Sequence, residues 1–512
     1  MLQDFIARVD ETIDRRRWKV LAGLSAAFLA VTLVRAYTTP FGPDEIVTIL
    51  GSTMPSRAAL WAALGDGMDE TGPLYAITAG AIHAVTGVGP LATRLPAIAA
   101  FWIAAVMLFV MVRRRANALI GLSAALLLTF TALHRLALEA RGYAPAAACL
   151  AAALYAWTEA AAGRRRLGHA VLLAGALAAG VWWHYYAALA FLPVLAGEVA
   201  RWKRDRRPDW FVWVAVAVAA AITLPLVPLV WPALAADRGA GAGLAGDVFA
   251  TYGGLLSPMA TVTLLLAWLI VVAIALGTIV LLVMNRDVDI ETSRLPPHET
   301  AAGLAVVALP AIGAIVGLTA GGVAVRDVAF AAPGLLSAGA VFVYRFTPRP
   351  GMADIVLAGA VAASFGAFVI TGLLPQAFAS SHPVRSRPAL ARALEAATEP
   401  VVVAGGPWAL QLSYYASRDW SRVATVLADA DLARELTGSD AIDRRWLALA
   451  KWTAADIEPF YPYIAIHKSF LVYQVGADWV LGKLGQQRAV ITEIEREPAG
   501  TLFRVRLREP AP

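Results

Sequence analysis

Residues 15–45 of the chain read RRRWKVLAGLSAAFLAVTLVRAYTTPFGPDE, and this segment decides the fold. A basic cluster leads into an apolar run over 18–37, and two adjacent acids, Asp44 and Glu45, follow that run. About 20 apolar residues rising about 1.5 Å each cross a hydrocarbon core about 30 Å thick. The order therefore predicts a membrane-spanning helix with its basic end at one membrane surface and two carboxylates at the other.

The composition places most of the chain in or beside lipid. Of its 512 residues, 59% are hydrophobic and 16% are charged, and the mean hydropathy is +0.64. Soluble domains carry about 25% charged residues, so an ordinary soluble protein is excluded. The single cysteine, Cys149, rules out an intrachain disulfide and a cysteine-based metal site. The N-terminal residues are charged rather than apolar, so we expect no cleavable signal peptide.

Ten further apolar runs predict a bundle of about eleven spanning helices. One more stretch, Pro73–Gly89, is short and contains three glycines, and counting it as a span would reverse the charge bias of every later loop. We therefore interpret it as a helix lying in the outer membrane interface. The eleven runs lie near 18–37, 91–112, 118–134, 143–162, 168–183, 185–200, 210–231, 259–284, 300–320, 328–344 and 352–373.

Basic residues mark alternate loops and thereby predict the orientation. They cluster at 15–19, 113–115, 164–166 and 201–207, whereas the intervening loops carry fewer of them. Because cytoplasmic loops are enriched in Lys and Arg, this pattern predicts a cytoplasmic N-terminus. The part of the chain after residue 374 is then expected outside the cytoplasm.

After residue 374 the composition changes to that of a small soluble α/β domain. We therefore predict a transmembrane catalytic domain over 1–374 and an extracytoplasmic accessory domain over 375–512. The accessory domain shows no acids clustered beside basic residues at the membrane face, so we expect it to modulate rather than catalyse. Its predicted elements are a strand at Val401–Ala404, a turn at Gly405-Gly406-Pro407, a helix at Trp408–Ala416, and a strand pair at Ala489–Glu495 and Leu502–Leu507.

Four groups of polar residues lie at the predicted outer ends of spans, near apolar surroundings in which charges are costly. Taken singly, each group has another interpretation. Asp44-Glu45 is typical of a helix N-cap, the Arg135–Tyr143 group of a solvated loop, His184-Tyr185-Tyr186 of an interfacial aromatic belt, and Arg326-Asp327 of a local ion pair. What they share is the same predicted side of the membrane. The groups are Asp44-Glu45; Arg135 with Glu139 and Arg141-Gly142-Tyr143; His184-Tyr185-Tyr186; and Arg326-Asp327.

A site built from carboxylates and guanidinium groups suits sugar transfer from a phosphate carrier. A carboxylate that takes the proton from an acceptor hydroxyl contributes about 10²–10⁴ in rate. Arginines present paired donors to a departing phosphate and stabilise its charge. Phosphate leaves as a stable anion, so the second carboxylic acid used in glycoside hydrolysis is not required.

Six motifs occur in one order along the chain: Asp44-Glu45, Thr71-Gly72-Pro73-Leu74-Tyr75, Arg94-Leu95-Pro96, Glu139-Ala140-Arg141-Gly142-Tyr143, His184-Tyr185-Tyr186, and Arg326 ahead of Pro333. This order resembles the GT-C glycosyltransferases, in particular the protein O-mannosyltransferases and the bacterial aminoarabinose and galacturonic acid transferases of lipid A. The resemblance covers about residues 15–345. The sequence departs from the family pattern at Gly72, where proline is usual, and at Asp327, where tyrosine is often found.

The resemblance implies an all-α polytopic membrane bundle of GT-C type, with juxtamembrane helices in the first external loop, followed here by the soluble α/β domain. In that family the external Asp-Glu pair supplies the base through its Asp. We therefore hypothesise that Asp44 is the general base and that Glu45 orients the loop or the acceptor. The residues assigned to substrate binding are Glu139, Arg141, Tyr143, His184, Tyr185 and Arg326, with Arg326 and His184 assigned to the phosphate.

The sequence thus predicts an inverting glycosyltransferase of the bacterial inner membrane that uses a polyprenyl-phosphate sugar. Expected partners are this donor, membrane lipids, and a lipid, glycan or protein acceptor, with no nucleic acid. No cofactor is expected, because no outer loop carries a His-x-x-His or Glu-x-x-His spacing; a divalent cation on Asp44 and Glu139 is the open alternative. A flippase or transporter of a lipid-linked sugar and a non-catalytic envelope-assembly subunit are the rival functions.

Overall fold

The computed structural model shows a helical bundle that continues into a small domain of alternating strands and helices. Both parts agree with the predicted fold class. The predicted domain boundary at 374/375 lies outside the described residues. The structure describes residues 2–69, 71–230, 248–257, 295–320, 325–347, 351–369, 387–396, 399–406, 408–415, 424–438, 440–453, 455–476 and 478–507.

Helices connected by short loops make up the described part of the bundle, and three 3-10 segments interrupt them at Tyr185–Ala190, Leu224–Leu226 and Val325–Ala331. The helices are α1 (Leu2–Arg15), α2 (Arg17–Thr38), α3 (Pro43–Ser52), α4 (Arg57–Gly65), α5 (Leu74–Thr86), α6 (Pro90–Arg115), α7 (Ala118–Leu128), α8 (Ala132–Leu136), α9 (Tyr143–Ala161), α10 (Arg166–Trp183), α11 (Phe191–Asp205), α12 (Trp210–Thr223), α13 (Val248–Leu255), α14 (Pro297–Ala320), α15 (Ala332–Phe346) and α16 (Met352–Phe368).

Six helical segments among the described residues are long and apolar enough to cross a membrane. Two other predicted runs form shorter apolar helices, α7 and α16, and two more form α9 and α11. The predicted run near 259–284 lies outside the described residues. The six segments are Arg17–Thr38, Pro90–Arg115, Arg166–Trp183, Trp210–Val230, Pro297–Val316 and Val325–Arg345.

The alanine-rich helix α9 lies at the centre of the bundle and is buried along most of its length. Its small side chains allow α6 and α10 to pack against it closely, as is usual where lipid provides no hydrophobic drive between helices. Near its end, the buried indole of Trp157 donates a hydrogen bond of 2.8 Å to Oε1 of Glu198 on α11. The bundle core therefore combines close helix contact with a satisfied polar pair.

The long segment after α2 folds into three short helices, α3, α4 and α5, rather than into a span. Helix α5 has 13 residues and is about 20 Å long, which is less than the about 30 Å of a hydrocarbon core. This agrees with the interpretation of Pro73–Gly89 as a helix that does not cross. Helices α3 and α5 pack on each other at one end of the bundle.

Two glycines let separate motifs meet at the end of α10. A Cβ atom on Gly72 would lie 2.1 Å from the carbonyl oxygen of Trp182, and one on Gly142 would lie 2.0 Å from that of Trp183. Neither distance is tolerable for a real side chain, so only glycine fits at either position. Close packing thus explains why this chain has Gly72 where the family usually has proline. The two contacts also place His184 beside the loop that carries Arg141.

The soluble domain contains one six-stranded sheet in the order β3-β2-β1-β4-β6-β5. Strands β3, β2, β1 and β4 run parallel to one another. The predicted strand pair, β5 and β6, lies at the opposite edge and is antiparallel. Its elements are α17 (Pro388–Ala396), β1 (Val401–Ala404), α18 (Ala409–Tyr415), β2 (Ala424–Leu427), α19 (Ala430–Thr437), α20 (Ala441–Ala450), β3 (Asp456–Glu458), α21 (Phe460–Ile466), β4 (Ser469–Gln474), α22 (Trp479–Gln486), β5 (Val490–Glu497) and β6 (Gly500–Arg506).

The soluble domain and the short helices α3 and α4 share one apolar core, which includes Ile46 and Leu60 from these helices and Leu410 and Trp446 from the domain. Hydrogen bonds reinforce the contact. Nε2 of Gln411 donates to the carbonyl oxygen of Phe41 at 2.7 Å, and the amide of Phe41 donates to the hydroxyl of Tyr415. The domain is therefore docked three residues before Asp44.

Candidate active site

Asp44 lies between two arginines that come from different parts of the chain. Helix α3 begins at Pro43, so Asp44 stands in its first turn directly after the loop that leaves the first span. Its Oδ2 is 3.1 Å from Nη1 of Arg326, and its Oδ1 is 3.1 Å from Nη1 of Arg445. Arg326 lies in the 3-10 segment that opens the span Val325–Arg345, and Arg445 lies on α20 of the soluble domain.

A third arginine, Arg141, holds the backbone of the same residue. Its Nη1 donates to the backbone carbonyl of Asp44 at 3.3 Å and to Oδ2 of Asp69 at 2.7 Å, and its side chain is 3% exposed. Asp69 in turn accepts hydrogen bonds from the amide and the hydroxyl of Thr71. This buried pair ties the Thr71-Gly72-Pro73 motif to the loop before α9.

The arginines decide the protonation state of Asp44. Burial by itself would raise the pKa of the carboxyl, but the charges of Arg141, Arg445 and Arg326 outweigh burial and bring the pKa down to about 2. The group is therefore a carboxylate at neutral pH, as a proton acceptor must be.

Glu45 has a different environment, although it is the next residue. Its two carboxylate oxygens accept from Nε and Nη2 of Arg94 at 2.7 and 2.6 Å, and Arg94 is 1% exposed. The amides of Gly42 and Ala140 also donate to it, at 2.8 and 2.9 Å. The guanidinium of Arg94 also donates hydrogen bonds to the backbone carbonyls of Ala36, Thr39 and Pro40. Glu45 thus fixes the loop that carries Asp44.

Glu139 lies close to both acids and to the arginine group. Burial raises its pKa, and so does the charge of Glu45, whereas Arg135 acts in the opposite direction. Its neighbour Ala140 holds the loop to α3, because the carbonyl of Ala140 accepts from the hydroxyl of Thr48 at 3.0 Å. Glu139 is thus placed at the edge of the site with a reduced tendency to ionise.

The aromatic residues lie on the Arg326 side. The rings of Tyr143 and His184 are 5.0 Å apart between centroids, and Nε2 of His184 is 3.7 Å from Oδ1 of Asp327. His184 is 3% exposed, and its Nδ1 has no hydrogen-bond partner among the described residues. Tyr185 instead packs against the core shared with the soluble domain. Asp327 therefore stands beside the imidazole, while the guanidinium of Arg326 reaches Asp44.

Sequence reasoning found most of this group but missed two members. Asp44, Arg141, Arg326, Tyr143 and His184, all singled out in the sequence, lie together in the structure. Asp69 was not singled out, although an acid directly before the Thr71 motif, in the long segment after the first span, is a usable signal. Arg445 carries no such signal, because it is one of two adjacent arginines on an ordinary amphipathic helix.

No group of three or more His, Cys, Asp or Glu side chains in the part of the chain that the structure describes is placed to hold a metal ion. The acids of the site are instead matched with arginines: Asp44 with Arg326 and Arg445, and Asp69 with Arg141. The arrangement can bind an anion and can accept a proton at Asp44.

Part of the chain matches a known protein family. Residues 70–231, about a third of the chain, match the family model described as dolichyl-phosphate-mannose-protein mannosyltransferase. The matched region includes the motifs at Thr71, Arg94, Arg141 and His184, but not Asp44. No curated protein sequence matched the chain.

Two solved structures are similar over nearly the whole chain. The crystal structure of ArnT from Cupriavidus metallidurans in the apo state has a TM-score of 0.58 at 13% identity, and the alignment covers 94% of this chain and 98% of that chain. The structure of ArnT bound to undecaprenyl phosphate has a TM-score of 0.54 at 14% identity, with the same coverage. This chain therefore has the fold of the ArnT structures. Together with the match of residues 70–231 to the mannosyltransferase family model, this confirms the resemblance seen in its motifs.

Proposed function

We propose that the protein is an inverting glycosyltransferase that moves a sugar from a polyprenyl-phosphate carrier to an acceptor hydroxyl on the extracytoplasmic face of the bacterial inner membrane. The observation that carries this proposal is the ionised Asp44, held at the mouth of the bundle between Arg326 and Arg445. A base and cationic donors side by side are what transfer from a phosphate requires. One of the similar ArnT structures has undecaprenyl phosphate bound, which supports a lipid of this class as the carrier.

In the proposed reaction the acceptor oxygen attacks the anomeric carbon from the face opposite the phosphate. The new carbon–oxygen bond forms as the bond to the phosphate oxygen breaks, and the acceptor proton passes to Asp44. The polyprenyl phosphate leaves with the bonding electron pair. It gains negative charge as a monoester, so a guanidinium beside it stabilises the transition state more than the ground state. Arg326 is the arginine best placed for this, at the start of its span.

The other assigned residues surround this centre. Glu139, Arg141 and Tyr143 would line the sugar or the acceptor, His184 would assist at the phosphate, and Tyr185 would contribute an apolar wall. Glu45 would act through the loop that it fixes. The acceptor class stays open among lipid, glycan and protein, all of them constituents of a cell envelope. We propose that no cofactor is needed; a divalent cation on Asp44 and Glu139 is the alternative that chelator treatment of the purified protein would reveal.

The direct test uses purified protein in lipid nanodiscs with a fluorescent polyprenyl-phosphate sugar and extracted envelope lipids, glycans or peptides. We expect transfer to one acceptor class, with the anomeric configuration of the product inverted when examined by NMR. Binding of undecaprenyl phosphate to the same particles is measured in parallel. Movement of the donor across the bilayer without transfer would support the flippase hypothesis instead. If transfer, movement and binding are all undetectable, the hypothesis of a non-catalytic envelope-assembly subunit is favoured.

A further inference from the structure

Arg445 contacts Asp44 from the soluble domain, in which none of the six sequence motifs lies. It lies on α20, in the crossover between β2 and β3, and its side chain is 14% exposed. Its Nη1 is 3.1 Å from Oδ1 of Asp44, while Arg326 is 3.1 Å from Oδ2. Each oxygen of the candidate base is therefore engaged by one guanidinium, and the two guanidiniums come from two domains.

The contact is not an incidental surface encounter. The domain is docked by the hydrogen bonds of Gln411 and Tyr415 to Phe41 and by the apolar core shared with α3 and α4. A separate, exposed ion pair joins Nζ of Lys451 to Oδ2 of Asp66 at 3.2 Å. Arg445 thus sits inside a fixed interface whose location is set by contacts other than its own.

In the empty site the two arginines reduce the ability of Asp44 to act as a base. A carboxylate with both oxygens engaged by arginines is a weak base, so it must release a donor before it can take a proton efficiently. Guanidinium groups bind phosphate with paired donors at least as well as they bind carboxylate. The phosphate of an arriving donor therefore competes with Asp44 for the same groups.

The geometry points to Arg445 as a site residue that exchanges Asp44 for the phosphate of the donor lipid. In the empty site it positions Asp44; with donor bound it turns to the phosphate and leaves Asp44 able to accept the proton. The soluble domain then supplies part of the site and is more than an accessory. This inference rests on the proposed function, because it takes the ligand to be a polyprenyl phosphate. Arg141, Tyr143 and Glu139 also lie around Asp44, and Asp327 lies beside Arg326; these members of the site are left unchanged in the test.

The test is a binding cycle with undecaprenyl phosphate on full-length protein in nanodiscs. Arg445→Ala should weaken binding by about tenfold or more, the scale of a charged hydrogen bond, and Arg445→Lys should recover part of it. Asp44→Asn removes the negative charge that competes with the phosphate for both arginines, so it should tighten binding several-fold. In the Arg445→Ala background the same Asp44→Asn change should tighten binding less. Such coupling is not expected of a residue with a merely structural role.

Lys451→Ala is the matched control, because it removes an ion pair of the same interface away from Asp44. It should change neither binding nor turnover. If Arg445→Ala does not fold, judged by thermal unfolding, Arg445→Gln carries the test, since it keeps most of the length and removes the charge. Wild-type affinity in the Arg445 variants, or equal effects of Asp44→Asn in both backgrounds, would overturn the inference. Failure of the unmodified protein to bind the lipid would instead count against the proposed function.

Discussion

Asp44 and Glu45 are neighbours in sequence, but their carboxylates have opposite surroundings. The Asp44 carboxylate is partly exposed and faces two arginines at the mouth of the bundle, whereas the Glu45 carboxylate is buried against Arg94 and two backbone amides. Adjacent side chains on a helix point in different directions, so one loop can carry both a reactive group and the group that holds it. The two acids should therefore respond differently to loss of charge.

Asp44→Asn keeps the shape of the side chain and removes the proton acceptor. We expect turnover to fall by about 10²–10⁴, the usual scale for a general base. Donor-lipid affinity should not fall, because the substitution removes a competitor for the arginines. Transfer from a fluorescent polyprenyl-phosphate sugar, measured beside lipid binding, gives both quantities. Near-normal turnover in the variant would remove Asp44 from the mechanism.

The depressed pKa of Asp44 also sets a pH dependence. A folded-state pKa of about 2, below the ordinary 3.8, means that the interactions stabilise the ionised form. Their contribution to stability is present at neutral pH and is lost only as the pH falls through that range. Titration of Asp44 in the free protein should therefore not limit kcat/KM at any pH above about 4. An acidic limb at higher pH that Asp44→Asn abolishes would contradict this.

Glu45→Gln should act mainly on stability. It leaves the guanidinium of Arg94 buried without its charged partner, and breaking one side of a buried ion pair costs on the order of 3 kcal/mol. We expect a lower thermal unfolding temperature, with binding and turnover reduced only as far as the loop loses order. Asp44→Asn, measured in the same detergent, is the comparison. A Glu45→Gln protein with unchanged stability and no turnover would exchange the roles of the two acids.

At the scale of elements, the site depends on how closely the loop before α9 approaches the end of α10. Gly142→Ala would push a methyl group into the carbonyl of Trp183, and such overpacking costs about 1–3 kcal/mol. It should also shift Arg141 and Tyr143, which flank it, and lower turnover. Gly175→Ala is the matched control: it lies exposed on α10 with open space around its Cβ and should be neutral or stabilising. Equal effects of the two substitutions would show that the close approach is unimportant.

Element types were readable from local patterns. The strand at Val401–Ala404, the strand pair at the C-terminal edge of the sheet and the short helix after Pro73 all occur as predicted. In each case hydrophobic period, length and turn residues agree with one another, and these are local properties. The sheet order was not predictable from local patterns. Strand β1 pairs with β4, about seventy residues later, and the sequence of neither strand specifies its partner.

At the scale of the whole molecule, the orientation in the membrane is open to a labelling experiment. In a Cys149→Ala background, a cysteine at Ala162, in the loop between α9 and α10, should resist an impermeant thiol reagent in intact cells. A cysteine at Gln487, exposed in the soluble domain, should react. The reason is the concentration of basic residues in the loops expected to face the cytoplasm. Labelling at position 162 but not at 487 would reverse the proposed orientation.

The sequence by itself determined the membrane class, the position of the juxtamembrane helix, and most of the residues that meet at Asp44. These follow from hydropathy, charge bias and motifs within the bundle, which act over short stretches of chain. Only the tertiary structure decided that Arg445 completes the group, since it comes from α20, about four hundred residues after Asp44 in the chain. Docking of the soluble domain depends on a core assembled from both domains. Arg445 therefore reaches Asp44 only when that core has formed.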